Sequence, residues 1–166
     1  MHVKPDQQSI RIRIAAPADA RTIASVLHES FIQYKGSYTP EAFVATAPPS
    51  DQIQNRMKEG PVWVATRDGL IVGTVSAVSK GDALYIRGMA VLPAARGRGV
   101  GELLLEHVER FASAQGYKRL LLSTTPFLAR AIGLYEHFGF RRSGEGPHEL
   151  FGTPLFTMVK ALEVSA

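Results

Sequence analysis

The sequence predicts a single mixed α/β domain in which a central mixed sheet of six to seven strands is flanked by helices. Three observations predict it. Residues 9–15 alternate Ile10, Ile12 and Ile14 with Arg11 and Arg13, the period-two pattern of a strand with one buried face. Residues 62–91 carry three β-rich runs separated by the turns Arg67-Asp68-Gly69 and Lys80-Gly81-Asp82, which reads as an antiparallel meander. A strand, a glycine-rich turn, a long amphipathic helix and a second apolar strand then follow one another over 83–123, the plan of a parallel crossover.

Between the first strand and the meander, Pro17 and Asp19 open a helix whose Ile23, Val26, Leu27 and Phe31 recur at helical spacing. Residues 34–40, with a glycine and two tyrosines, read as a loop. A short helix is predicted over 40–46, and another begins at Ser50 or Asp51, with Ile53 and Met57 on one face and Gly60-Pro61 as its stop. In the long helix after Pro93, Leu104, Leu105, Val108, Phe111 and Ala112 make one apolar face, and Gly116 ends it. Residues 120–123 read as a buried strand, 127–137 as a helix ending before Gly139, and 155–160 as the last strand. No repeat or linker divides the chain, so residues 9–162 read as one domain between a disordered N-terminal tail, 1–8, and a C-terminal tail, 163–166.

Composition narrows the chemistry. The 166 residues contain no cysteine, which excludes a disulfide framework, a thiolate nucleophile and cysteine-ligated metal. The five histidines show no metal-ligand spacing, and no G-x-S-x-G elbow is present, so neither a metal nor a serine triad is expected. Nineteen Lys and Arg against fifteen Asp and Glu give +4, too small an excess for a nucleic-acid protein but enough for a phosphate-bearing small molecule. The longest charge-free stretch, 69–79, is far short of a membrane span. The first eight residues lack the apolar core of a secretory leader, which gives a cytoplasmic location by default.

The segment Met89 to Glu102 runs from a strand through glycines 97, 99 and 101 and arginines 96 and 98 directly into a helix. The first amides of a helix have no intrahelical acceptor and sit at its positive end, so this arrangement suits an anion. Glycine lets backbone approach a phosphate closely, and Arg96 and Arg98 add charge-assisted bonds. Read alone, the stretch equally describes a connecting turn. It lacks the Gly-Lys-Ser/Thr of a nucleotide P-loop, and Glu102 stands where the dinucleotide fingerprint needs glycine.

What the spacing does contain is Arg96-x-x-Gly99-x-Gly101, and here the chain resembles the GNAT superfamily of acyl-CoA N-acyltransferases, whose pyrophosphate loop is Q/R-x-x-G-x-G/A at a strand-to-helix turn. Upstream, residues 86–93 (IRGMAVLP) resemble the family's fourth strand, and downstream residues 131–140 (AIGLYEHFGF) resemble its A-x-x-L-Y-x-x-x-G-F signature. The resemblance is specific over 84–140, supported by element order over 9–79, and weak beyond 140.

It implies a GNAT-like domain that binds acetyl-CoA as co-substrate. The amides of Gly97, Arg98, Gly99, Val100, Gly101 and Glu102 would take the pyrophosphate with Arg96, and Met89, Ala90 and Val91 would line the pantetheine arm through their backbone. Tyr135 matches the family tyrosine that protonates the departing thiolate, and a phenol holds its proton at pH 7. By periodicity alone Tyr135 also fits a packed face with Leu128, Ala131, Leu134 and Phe138; the flanking signature turns the reading to an acid. Tyr85 falls where some members place a glutamate base, so no base is assigned. Many relatives carry an asparagine before the tyrosine; residues 124–128 (TTPFL) stand there instead, with Thr125 as a substitute contact or as a cap for the next helix. The acceptor side would involve Tyr34, Tyr38, Tyr85 and Arg87.

The expected function is transfer of an acetyl group from acetyl-CoA to a primary amine of a small molecule or protein, by direct attack in a ternary complex. The competing expectation is an acyl-CoA-binding regulatory module with weak or absent catalysis. No membrane or nucleic-acid partner is expected, and either a monomer or a homodimer fits.

Overall fold

The computed structural model describes residues 9–163; the expected tail 1–8 and residues 164–166 of the expected C-terminal tail lie outside the described residues. The chain runs β1 (Ile10–Ile14), α1 (Ala20–Phe31), α2 (Pro40–Thr46), α3 (Ser50–Glu59), β2 (Val62–Arg67), β3 (Leu70–Lys80), β4 (Ala83–Val91), α4 (Val100–Ala114), β5 (Arg119–Thr124), α5 (Ala129–His137), β6 (Arg141–Ser143), β7 (Glu149–Leu150), β8 (Thr153–Pro154) and β9 (Phe156–Ala161). Seven strands form one sheet in the order β1-β2-β3-β4-β5-β9-β6, and β7 and β8 pair separately as a hairpin. Within the seven, β4 and β5 are parallel and every other neighbouring pair is antiparallel. No helix of the described residues is long and apolar enough to cross a membrane.

Alternation along the strands builds two apolar layers. One face of the sheet, with Trp63, Val75, Leu84, Ile86, Leu120 and Leu122, packs on Leu104, Leu105 and Val108 of α4 and on Tyr135 of α5. The other, with Val62, Val64 and Ala90, packs on Ile23, Val26 and Leu27 of α1 and Ile53 of α3. In β1 the alternation is kept but the burial fades along the strand: Ile10 is buried, whereas Ile14, at the sheet edge, is 59% exposed. The expected loop at 34–40 is a 3-10 turn over Ile32–Ser37. It leads into α2, whose first turn is capped by the Thr39 hydroxyl accepting from the Ala42 amide at 3.2 Å. Gly116, at φ +85°, ends α4 with the Tyr117 amide bonded back to the Ala112 carbonyl.

The turn from α3 into β2 depends on a missing side chain. Gly60 is extended, and a Cβ there would run into the Ala77 carbonyl oxygen of the neighbouring β3. Backbone must move to admit it, so Gly60→Ala is expected to cost about 2–3 kcal/mol, a fall of about 5–10 °C in thermal midpoint. A melt of the single variant checks this.

Two features shape the centre of the sheet. First, Thr74 faces Ala90 but Ser76 faces Arg87, so Val75 of β3 alone opposes two residues of β4, Gly88 and Met89, with Gly88 at φ +61°. The bulge reverses the alternation. Leu84 and Ile86 face α4, but Ala90 faces α1, so Met89 and Val91 are returned to the α4 and α5 side. Second, β4 and β5 pair only from Ala83↔Arg119 to Ile86↔Leu122. Beyond that, β4 stays bonded to β3 and β5 to β9, and the sheet opens between them.

Candidate active site

A cavity of about 430 Å³ is bounded by the end of β4, the glycine-rich loop and the start of α4 on one side, and by α5 on the other. Met89, Ala90 and Val91 line it, as do all residues from Arg96 to Glu102 and the side of Tyr135. Of the expected acceptor residues, Tyr34 is on the wall. Tyr38, Tyr85 and Arg87 lie elsewhere: Tyr38 is buried edge-on against Phe127 at 4.9 Å, Tyr85 lies under the Lys80 ammonium at 5.2 Å, and Arg87 is paired with Glu59 at 2.8 Å.

The end of β4 presents backbone to this space. Leu92 donates to the Val72 carbonyl at 2.8 Å, and bonding alternates along an antiparallel ladder, so the neighbouring Val91 turns its amide and carbonyl away from β3. The Ser30 hydroxyl of α1, 2.6 Å from the Val26 carbonyl, also reaches the Val91 carbonyl at 3.1 Å. Arg96 donates to the Ser30 carbonyl at 3.2 Å, which ties the loop to the same turn of α1.

The loop holds its shape through Gly97 and Gly99, both left-handed at φ +81° and +78°, and Gly99 is the residue from which α4 starts. Gly101 differs from the expectation that all three glycines open the way to a phosphate. Its φ is ordinary, and a Cβ there would stand 2.8 Å from Leu134 Cδ2, so it allows α4 and α5 to approach each other. Three arginines, 96, 98 and 130, face one acid, Glu102, around this end of the cavity. Arg98 and Arg130 are exposed and have no hydrogen-bond or ion-pair partner among the described residues. The donor set fits a polyanion: two helix starts, from α4 and α5, and an excess of positive charge converge on it.

At the other end sits Tyr135, 9% exposed and edge-on to Phe140 at 5.9 Å. Burial, and then the nearby Tyr38, push its phenol up to about 12. Burial also raises Tyr38, against hydroxyl contacts to Thr125 and Thr46. The unfolded chain ionises these phenols near pH 10 while the fold keeps them neutral, so stability is unaffected below pH 10 and falls above it. The slope is expected to reach about 1.4 kcal/mol per pH unit for Tyr135, and Tyr135→Phe to make the alkaline fall shallower in melts between pH 9 and 11.

Sequence reasoning missed Ser30, Leu128, Arg130 and Leu134 on this wall. Leu128 and Leu134 were in view as a core face; that face serves the cavity as well. Arg130 carried no signal, since a lone exposed arginine is unremarkable until α5 is set opposite the loop. Thr125 does not cap α5, which starts from Leu128 without a side-chain cap.

The sequence profile of the acetyltransferase (GNAT) family matches residues 24–140, which spans the cavity from α1 to Tyr135 and beyond. The chain belongs to that GNAT family. The uncharacterized N-acetyltransferase YjgM of Escherichia coli is 31% identical over 139 residues, covering 80% of this chain and 83% of that one. The mouse probable N-acetyltransferase family 8 member 5 is 36% identical over 92 residues, or 52% of this chain, which spans only 40% of that protein's length. The crystal structure of the PaiA N-acetyltransferase from Thermoplasma acidophilum in complex with coenzyme A superposes with a TM-score of 0.79 at 19% identity, over 93% of this chain and 99% of that one, a likeness of fold. This GNAT chain is thus an N-acetyltransferase by class, with acetyl-CoA as the co-substrate of that class.

Proposed function

We propose that this GNAT protein transfers an acetyl group from acetyl-CoA to a primary amine by direct attack in a ternary complex. The observation that carries the reading is one cavity with Arg98 and Arg130, unpartnered among the described residues, and a helix start at one end, open β4 backbone along its side, and a buried protonated phenol at the other. The loop amides and Arg96, Arg98 and Arg130 would hold the diphosphate. The amides of the pantetheine arm would meet the backbone of Met89 and Val91, and the Val91 amide would draw charge from the acyl carbonyl oxygen. The N–C bond forms as the C–S bond breaks, and the Tyr135 hydroxyl donates to the departing sulfur.

The amine must arrive neutral, which at pH 7 costs about 4.6 kcal/mol for a free alkylamine. On the cavity wall the carboxylate is Glu102, at the phosphate end, so no base is assigned for the amine's proton. Holding both reactants together supplies much of the rate, and no cysteine offers a covalent detour. Calorimetry with acetyl-CoA, followed by thiol release in an amine panel, tests the reading. Micromolar binding with turnover supports it; binding without turnover on any amine makes the chain a coenzyme-binding module instead.

A further inference from the structure

On the α1 and α3 side of the sheet two guanidinium groups, of Arg56 and Arg87, lie near one carboxylate, Glu59, which pairs with Arg87. Arg87 of β4 donates to Glu59 at 2.8 Å, and its Nε is buried without a partner. Arg56 of α3 donates from Nη2 to the Ala45 carbonyl at 3.0 Å, and its Nη1 lies over the β4 bulge, 2.7 Å from where a Gly88 Cβ would stand. Burial and the Arg87 charge both disfavour the Arg56 cation, and Glu59 offsets them only in part. Two cations, one with a buried donor left without a partner, against one half-exposed acid leave a positive cluster.

Its position gives it a use. Gly88 is the residue before Met89, and the bulge sends Met89 and Val91 to the coenzyme side while Arg87 stays on the other. The sheet is open between β4 and β5 at this level. A second reactant entering from the α1 and α3 side would therefore meet Arg56, over Gly88, and Arg87 at three and four strand residues from Val91, about 10–13 Å along the strand.

We infer that Arg56 and Arg87 form an anion subsite for the acceptor, whose amine therefore carries a carboxylate, as in an amino acid. The inference rests on the acetyltransferase reading for what it feeds, but the subsite itself is testable without turnover. A planar carboxylate matches the guanidinium fork, whereas Glu59, 52% exposed, takes only one donor of Arg87 and is the group it would displace.

The test titrates the protein, with and without saturating acetyl-CoA, with succinate, succinamide and inorganic phosphate by calorimetry. Succinate is expected to bind and succinamide not. Arg56→Gln should weaken succinate at least tenfold, Arg56→Lys should restore part of the loss, and Glu59→Gln, which removes the competing carboxylate, should tighten it. Acetyl-CoA affinity and thermal midpoint should stay near those of the unmodified chain. In thiol-release assays, amino acids should be acylated at least tenfold better than their carboxamides, a preference lost in Arg56→Gln. Equal binding of succinamide, tighter binding of phosphate than succinate, or unchanged succinate affinity in both Arg56→Gln and Glu59→Gln overturns the subsite. Failure of acetyl-CoA to bind would instead count against the acetyltransferase reading, and the titration without coenzyme would still decide the subsite.

Discussion

Tyr135→Phe is expected to lower kcat by about 10²- to 10³-fold with little change in acetyl-CoA affinity, the pattern of an interaction made only as the transition state forms. The substitution keeps the ring and its packing on Phe140, removing one oxygen. A phenol held near 12 is a weak acid beside a thiol of about 8.5, so complete transfer to a free thiolate would run uphill by roughly 5 kcal/mol. The proton is useful only because the sulfur's charge develops in the same poorly solvated space, where burial raises the basicity of the thiolate too. The pH profile separates this role from a structural one. The rate should climb with pH as the amine loses its proton, and no falling limb from Tyr135 should appear below about pH 11. A phenylalanine variant with undiminished turnover would remove the acid from the mechanism.

The second large effect concerns charge at the other end of the cavity. Arg98→Glu combined with Arg130→Glu is expected to weaken acetyl-CoA binding by about 10²- to 10⁴-fold, taking 1.5–3 kcal/mol for each charged hydrogen bond lost. These two are the informative choices. Both are exposed and unpartnered among the described residues, so their loss should leave the melt unchanged. Arg96 also fastens the loop to Ser30, and a side chain at Gly101 meets Leu134; substitutions there would mix binding with packing. Added salt should weaken binding to the unmodified chain and have less effect on the variant. Calorimetry measures both, and near-normal affinity in the variant would place the diphosphate elsewhere.

Much of this architecture is legible in the residues. The meander at 62–91, the helix over 40–46 and the start of α3 follow from alternation, capping and breakers, because those signals are local. So does the loop, since glycine and arginine at a strand-to-helix turn restrict what can bind. The short strands β6, β7 and β8 are not legible: Arg141-Arg142-Ser143 has no apolar alternation, and it is a strand because β9 offers it an edge. The same holds for Arg56 and Ser30, ordinary helical residues in the sequence, which gain meaning when α3 meets the bulge and α1 meets Arg96. The bulge itself left one trace, Gly88 within a β-rich run, and its effect on which side chains face the α4 and α5 side needs the register of β3.

The separation of β4 from β5 past Ile86 and Leu122 gives the molecule an edge in the middle of its sheet rather than at its margin. Margins are hazardous because another polypeptide can add to them. Here helices cover both faces of the sheet, and in the proposed function the amide-bearing arm of coenzyme A lies along the open β4 backbone. On that reading the co-substrate would act as a surrogate strand. Helices packed on both faces of the sheet shield such an inner edge from a neighbouring protein in a way that a marginal strand is not shielded.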